Sequence, residues 1–309
     1  MEIISIIIPA HNAAGTLATT ISGCMAHGRG GVDIVIIDDG STDGSLAIAR
    51  SFEPRVRVLS GPNRGVSAAR NWGIAESTGE WLIFLDADDQ LLPGTVEKRL
   101  AAAAENTEAD VIVCGWQELI DTGDSTSEGP VRTIDRAAME EDAEVATAAH
   151  AWAPPAALMY RRALVEKIGG FRVDLPVIQD ARFLFDAAYH GAHFAFSDHV
   201  GALYRIQAGS LSRRNPTRFW RDVLLNGTQI EAMWRERGPL SAKQRDALAS
   251  IYNHAARGLF AAESPHYFDA VERQRAVGGP LPRHSRIAPP VARTLGLHSA
   301  RRLFAMVGR

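Results

Sequence analysis

The chain has 309 residues, 46% hydrophobic and 22% charged, with a net charge of −3. These are ordinary values for a soluble globular protein and exclude a mostly disordered chain, a collagen-like fibre and a coiled coil. The small net charge gives no reason to expect nucleic acid as a partner, and two isolated cysteines, Cys24 and Cys114, make neither a disulfide framework nor a zinc site and suit a reducing cytosol.

The run Ile3–Ile8 is β-branched and continuous, which predicts a buried strand. No Asp, Glu, Lys or Arg occurs from Ile3 to Gly28. The apolar stretch nevertheless stops at Pro9-Ala10-His11-Asn12, short of the roughly 20 residues of a spanning helix. Only Glu2 precedes it, where a secretory signal carries basic residues. A helix is expected over 15–26, a strand over 33–38 (DIVIID) and a short helix over 43–51. Further strands are expected over 55–59, 81–85 (WLIFL) and 110–114 (DVIVC), with helices over 66–76 and 95–105. Strands alternating with helices imply a mostly parallel sheet with helices on both faces.

Residues 121–150 are polar and read as a loop with a short helix. Beyond them, Trp220, Leu224, Ile230, Met233 and Trp234 recur at helical spacing and read as core. A Pro-rich stretch over 278–290 reads as a linker, and 291–307 as a short basic amphipathic helix. Charge is unevenly spread: residues 1–220 hold 19 Lys/Arg against 29 Asp/Glu, net −10, and residues 221–309 hold 14 against 7, net +7. Three segments are therefore expected: 1–215, 216–277 as a helical extension, and 278–309 as linker and tail.

Ligands of an open parallel sheet bind beyond the carboxyl ends of its strands. The residues that follow the first four expected strands are Pro9-Ala10-His11-Asn12, Asp38-Asp39-Gly40-Ser41-Thr42-Asp43, Gly61-Pro62-Asn63-Arg64-Gly65 and Asp86-Ala87-Asp88-Asp89. The glycine loops that cradle a pyrophosphate by backbone N–H are missing, so a nucleotide here needs another way to hold its phosphates. Asp86 and Asp88 supply one. In extended backbone their carboxylates face the same way and suit Mg²⁺ or Mn²⁺. The plainer reading is a polar loop capping the next helix. Of the adjacent Asp38 and Asp39 only one can face a ligand; Asp39 could accept the N3–H of a uracil ring, while either could order the following turn.

ISIIIPAHN at 4–12, IVIIDDGSTDGS at 34–45, NRGVSAARNWGIAESTGEWLIFLDADD at 63–89 and YRIQAGSLSR at 204–213 together resemble the inverting glycosyltransferases of family 2, which have the GT-A fold. The resemblance covers about residues 3–215. It implies that Pro9, Ala10, His11 and Asn12 pack on the nucleoside and that Asp39 reads uracil. It also implies that Asp86 and Asp88 hold ribose and a divalent metal, Mn²⁺ or Mg²⁺, with Asp88 the nearer. Asn63, Arg64, Gly65 and Arg70 fall in the stretch that closes over the nucleotide. The family's general base is an aspartate in a Glu-Asp pair downstream of Gly-Gly-Phe. Here Gly169-Gly170-Phe171 is followed by Gln179-Asp180, so Asp180 matches the base and the glutamate is replaced. Many relatives carry histidine where this chain has Gln207.

The reaction so implied is a single displacement: Asp180 takes the proton of an acceptor hydroxyl, whose oxygen attacks the anomeric carbon of a nucleotide-sugar. The acceptor would be a saccharide or lipid-linked, walled by 152–160 and by residues after Pro216. A cytoplasmic place follows, with two readings of the basic tail: docking at the inner face of an anionic membrane, or packing on the acidic part. Arg205, Arg213 and Arg214 could pair with phosphate. Competing readings are a non-catalytic nucleotide-sugar binding relative, a sugar nucleotidyltransferase and a receiver-like phosphoacceptor domain. The last two fit poorly, since 9–15 contains no Lys or Arg and a receiver-like domain would not account for the motifs after residue 150.

Overall fold

The computed structural model describes residues 4–27, 31–207, 209–278 and 283–307. Ile3, at the start of the first expected strand, and positions 279–282 of the expected linker lie outside them. The chain divides into two compact units, the first from residues 1–141 and 152–208, the second from 142–151 and 209–309.

The first unit is built on one sheet. Its elements in chain order are β1 (Ile4–Ala10), α1 (Leu17–Met25), β2 (Val32–Asp39), α2 (Ser45–Arg50), β3 (Arg57–Gly61), α3 (Val66–Glu76), β4 (Trp81–Phe84), β5 (Gln90–Leu91), α4 (Thr95–Glu105), β6 (Val111–Asp121) and β7 (Thr126–Arg132). After α5 (Arg136–Ala149) and a 3-10 turn come β8 (Leu158–Arg161), α6 (Arg162–Ile168), α7 (Gln179–Tyr189) and β9 (Phe194–Gln207). The strand order is β3-β2-β1-β4-β8-β6-β9-β5, with β7 paired to β6.

The first four strands in that order are parallel, and every residue of β1 and β4 is buried. Burial on both faces explains their unbroken apolar composition. The other half of the sheet is mixed. β8 runs antiparallel between β4 and β6, so the strands expected to be fourth and fifth are not neighbours. The polar stretch after residue 121 is not a loop: β7 pairs antiparallel with β6. All but one of its residues are exposed, so it carries no apolar alternation to announce it; its ladder to β6 supplies the backbone partners.

The helix α5 leaves helical geometry at Asp142 (φ −161°, ψ 92°), where the second unit begins. That unit contains α8 (Leu211–Arg214), α9 (Pro216–Arg237), α10 (Ala242–Ala261), α11 (Tyr267–Ala276), α12 (Arg283–Leu295) and α13 (Leu297–Val307). Leu224, Ile230 and Trp234 of α9 are buried, as their spacing predicts, while Trp220 and Met233 are half-buried. The Trp234 indole donates to Glu144 at 2.9 Å, tying α9 to the end of α5. Gly258 of α10 lies under Trp220, where a Cβ would come within 2.1 Å of the ring. Ser241 and Gln244 close a capping box at the start of α10.

The expected linker is helical from Arg283 onward, with Pro289 and Pro290 inside α12. Each proline removes one helical donor, yet the turn is covered: Ala288 and Ala292 are buried. The break falls instead at Gly296, whose φ of 79° ends α12 before α13 begins.

Candidate active site

The register of the parallel strands brings their carboxyl ends level: Ala10 lies opposite Asp38, and Asp39 opposite Gly61. The four polar loops therefore share one edge of the sheet. Direct bonds knit the first three. The Asn12 amide oxygen accepts the Thr42 N–H at 2.8 Å, and Asn12 N–H donates to Ser41 Oγ at 3.1 Å. Asn12 holds a left-handed φ of 51°, a conformation asparagine tolerates better than most residues. His11 Nδ1 sits 2.9 Å from the Asp39 carbonyl, and the Asn63 amide lies 3.2 Å from the same ring. Gly40 also has positive φ, and a Cβ there would strike Asn63 N at 2.6 Å.

The paired aspartates divide as their alternation requires. Asp38 is buried and accepts the Ser60 hydroxyl at 2.9 Å. Asp39 accepts the N–H groups of Arg64 and Gly65, one on each oxygen, at 2.7 and 2.8 Å. It thus shapes the entry to α3 rather than the turn that follows it; that turn is ordered by Asp43, which accepts from Ser45 and Ala14. Each Asp39 oxygen retains a lone pair for a ligand N–H. Pro9 and Ala10 are buried, while His11, Asn12, Asn63 and Arg64 are exposed.

The segment after β4 is a turn, not extended backbone: Asp89 N–H donates to the Asp86 carbonyl at 3.0 Å. Asp86 and Asp88 still interact closely. Burial, reinforced by the Asp86 charge, pushes the Asp88 carboxyl up to about 6. Its Oδ2 accepts the Gln207 amide at 2.8 Å. Asp89 is buried deeper and its carboxyl is raised well above the usual range by burial and by Asp88 and Asp86. Two half-buried carboxylates under mutual repulsion fit a hard divalent cation that completes its shell with phosphate oxygens and water. Asp88 and Asp86 would hold it, and Gln207 would keep one Asp88 oxygen oriented. Among the described residues no three His, Cys, Asp or Glu side chains converge into a protein-only metal cage.

Arg70 joins this cluster to Asp180. Its guanidinium is buried, ion-paired with Asp86, and lies 4.9 Å over the Phe171 ring. Phe171 stacks on Phe183 of α7 at 4.0 Å, and its backbone is clamped on both sides by the Asn71 amide. Asp180 sits in the first turn of α7, where Ile178 is the capping position and makes no side-chain cap. Asp180 is therefore not the N-cap. Burial raises its carboxyl; the Arg70 charge, the Ala181 N–H and the Trp152 indole oppose that rise, and Asp86 adds to it. Trp152 Nε1 donates to Asp180 Oδ2 at 3.0 Å. Gln179, in place of the family's glutamate, is buried.

Three contributors were not assigned these roles from sequence. Arg205 is a strut between the loop after β4 and the end of β6. It binds Asp121 at 2.8 Å and the Asp88 carbonyl at 3.1 Å, and its N–H meets Asp89 at 2.8 Å. Asn71 and Trp152 act on the backbone of Phe171 and on Asp180, partners 100 and 28 residues away. No local spacing signals such pairs.

The curled α/β unit with its loops at the strand ends defines a GT-A nucleotide-sugar transferase fold. The structure of TarS (residues 1–349) of S. aureus in complex with UDP-GlcNAc superposes with a TM-score of 0.69 at 19% identity, covering 99% of this chain and 92% of that one. The family model "Glycosyl transferase family 2" matches residues 5–169, so the chain belongs to glycosyl transferase family 2. It is similar to the uncharacterized glycosyltransferase YibD of Escherichia coli K12, 39% identical over 114 residues, which are 36% of this chain and 33% of YibD. It also resembles the succinoglycan biosynthesis protein ExoO of Rhizobium meliloti, 27% identical over 218 residues, 68% of this chain and 62% of ExoO. The matches thus span about a third of YibD and under two thirds of ExoO.

Proposed function

We propose that this chain transfers a sugar from a UDP-sugar to an acceptor hydroxyl with inversion at the anomeric carbon, in the synthesis of a cell-surface polysaccharide or glycoconjugate. The observation that carries this reading is the shared position of Arg70: paired with Asp86 and acting electrostatically on Asp180, it sets the diphosphate side and the base side of the site against each other. The ExoO likeness favours a polysaccharide product, and the nucleotide in the TarS structure favours uridine.

His11, Asn12 and Asp39 would receive the nucleoside, with Asp39 accepting the uracil N3–H. Asn63, Arg64 and Gly65 border the same loops. Asp180 accepts the proton of the acceptor hydroxyl. That oxygen bonds to the anomeric carbon as the bond to the diphosphate oxygen breaks, and UDP leaves with the electron pair. When bound at Asp86 and Asp88, Mn²⁺ or Mg²⁺ supplies charge neutralisation for the leaving diphosphate. Arg70 holds Asp86 in place from its buried side. The saccharide or lipid-linked acceptor would be walled in part by residues 152–160.

A thermal-shift titration with UDP, with and without Mn²⁺, tests the donor site. Ligand at about 100 Kd adds roughly 2.7 kcal/mol. A Mn²⁺-dependent UDP shift that disappears in Asp88→Asn is expected. No shift with any nucleoside diphosphate would overturn the reading, and UDP binding without UDP-sugar turnover would favour a non-catalytic relative.

A further inference from the structure

The indole of Trp152 bonds a carboxylate that the reaction would use, and its own place is set by the sheet. The donor is unambiguous, because an indole N–H can only donate. It takes Asp180 Oδ2 at 3.0 Å. Trp152 precedes the 3-10 turn Pro155–Ala157, in a segment without regular structure, so its backbone alone would not fix the ring. Two aromatic rings do. Trp116 of β6 meets it edge-on with centroids 6.1 Å apart and an interplanar angle of 84°. Tyr204 of β9 does so at 5.5 Å and 70°.

These two rings come from adjacent strands on one face. Trp116 lies opposite Ala202, and Ala202 and Tyr204 are two residues apart on β9. Edge-to-face packing is a preferred aromatic geometry with a defined angle. The indole therefore inherits the rigidity of the β6–β9 ladder rather than the freedom of its loop. Precise sites need such support from rigid elements.

We propose that Trp152 is a positioning residue for Asp180: held by Trp116 and Tyr204, its indole N–H pins Oδ2 and leaves Oδ1 as the oxygen that accepts the acceptor proton. This rests on the glycosyl-transfer reading for its catalytic consequence, but the contact itself does not. The charged and titratable groups facing Asp180 are Arg70 of α3, Asp86 after β4, Tyr160 of β8 and Tyr204 of β9. The Ala181 N–H also faces it, from α7 itself. Trp152 thus adds a neutral donor to a set otherwise supplying one cation, one anion and two phenols.

Two measurements on the full chain test this. In the first, the six tryptophan indole N–H resonances are recorded with ¹⁵N label, and Trp152→Phe identifies one by its loss. That resonance should lie downfield, as a carboxylate-bonded N–H does, and move upfield in Asp180→Asn. A resonance unmoved by Asp180→Asn overturns the proposal, and this arm requires no substrate. The second measures UDP release from UDP-glucose and UDP-N-acetylglucosamine. Trp152→Phe keeps a ring and should lower kcat more than tenfold with the donor KM within twofold; Trp152→His, which keeps a ring N–H, should recover part of the loss. An unchanged kcat in Trp152→Phe overturns the proposal. Should Trp152→Phe fail to fold, Asp180→Asn alone still decides the first arm by the shift it causes. Absence of turnover in the wild type counts against the glycosyl-transfer reading and removes the catalytic part of this one, while the resonance still decides the contact.

Discussion

Asp180 carries opposed influences on one carboxyl. Burial raises it and outweighs Arg70, the Ala181 N–H and Trp152. A general base must be ionised to act, so the acid limb of kcat/KM for a UDP-sugar is expected above the ordinary carboxylate range and not near pH 4. The same shift has a stability consequence of defined sign. A carboxyl whose folded pKa is raised contributes stability that is full below its unfolded pKa and is lost as pH rises through the folded one. Asp180→Asn removes that loss. The expected outcome is no measurable turnover in Asp180→Asn, together with a urea midpoint at pH 7 at or above that of the wild type. A wild-type midpoint that gained on the variant as pH rose from 4 to 7 would contradict it. At this scale the sequence was informative about how the four polar loops cluster, because each lies just beyond a strand end, whereas Arg70 and Asp180 reach the cluster from helices α3 and α7. It was silent on how they are oriented. The turn at Asp86–Asp89 departs from the extended backbone assumed for a D-x-D, and the turn after β2 is ordered by Asp43 where Asp38 or Asp39 was expected to order it.

The helix α7 shows how one element links the core to the site. Arg182 and Asp186, four residues apart and both buried, bond at 2.7 Å on the same helix that carries Asp180. Burial raises the Asp186 carboxyl, and Arg182 is the main influence opposing that rise. Removing one partner of a buried pair leaves an uncompensated charge, at a cost of about 3–5 kcal/mol. Arg182→Met is expected to lower the thermal midpoint by several degrees, whereas the double variant Arg182→Met, Asp186→Leu should recover much of the loss; thermal unfolding of the three proteins measures both. A single variant as stable as wild type would show that the pair is solvated in solution. The elements themselves differ in how far sequence reveals them. Strands buried on both faces, such as β1 and β4, announce themselves as apolar runs. The strand β7 is exposed and offers no pattern, and β9 mixes half-buried and buried positions along 14 residues. The insertion of β8 between β4 and β6 depends on pairing across 78 and 80 residues of sequence to β4 and 45 to 49 to β6, which no local window contains.

On the scale of the whole molecule, the charge asymmetry raised a choice between a lipid surface and a protein surface for the basic tail. In the second unit, Arg293 pairs with Glu272 at 3.0 Å, Arg301 with Glu263 at 2.7 Å, and His298 lies 3.1 Å from Glu263. The acids belong to the tail's own unit. Exposed pairs of this kind contribute about 0–1 kcal/mol each, so they orient the tail more than they hold it. The holding is apolar: Ala288, Ala292 and Ala300 are buried, and Phe304 meets Phe260 of α10 edge-on at 6.0 Å. A segment packed this way should stabilise its unit and have fewer free cations to offer a membrane. No described helix is long and apolar enough to cross one. Ending the chain at Gly278 is therefore expected to lower the thermal midpoint, because Phe260 loses its cover, and the full chain should stay in the supernatant with vesicles of anionic phospholipid at about 0.15 M salt, where the Debye length is about 8 Å. Sedimentation of the full chain with those vesicles, abolished by the truncation and by 1 M salt, would instead make the tail a membrane anchor whose internal pairs exchange for lipid phosphates.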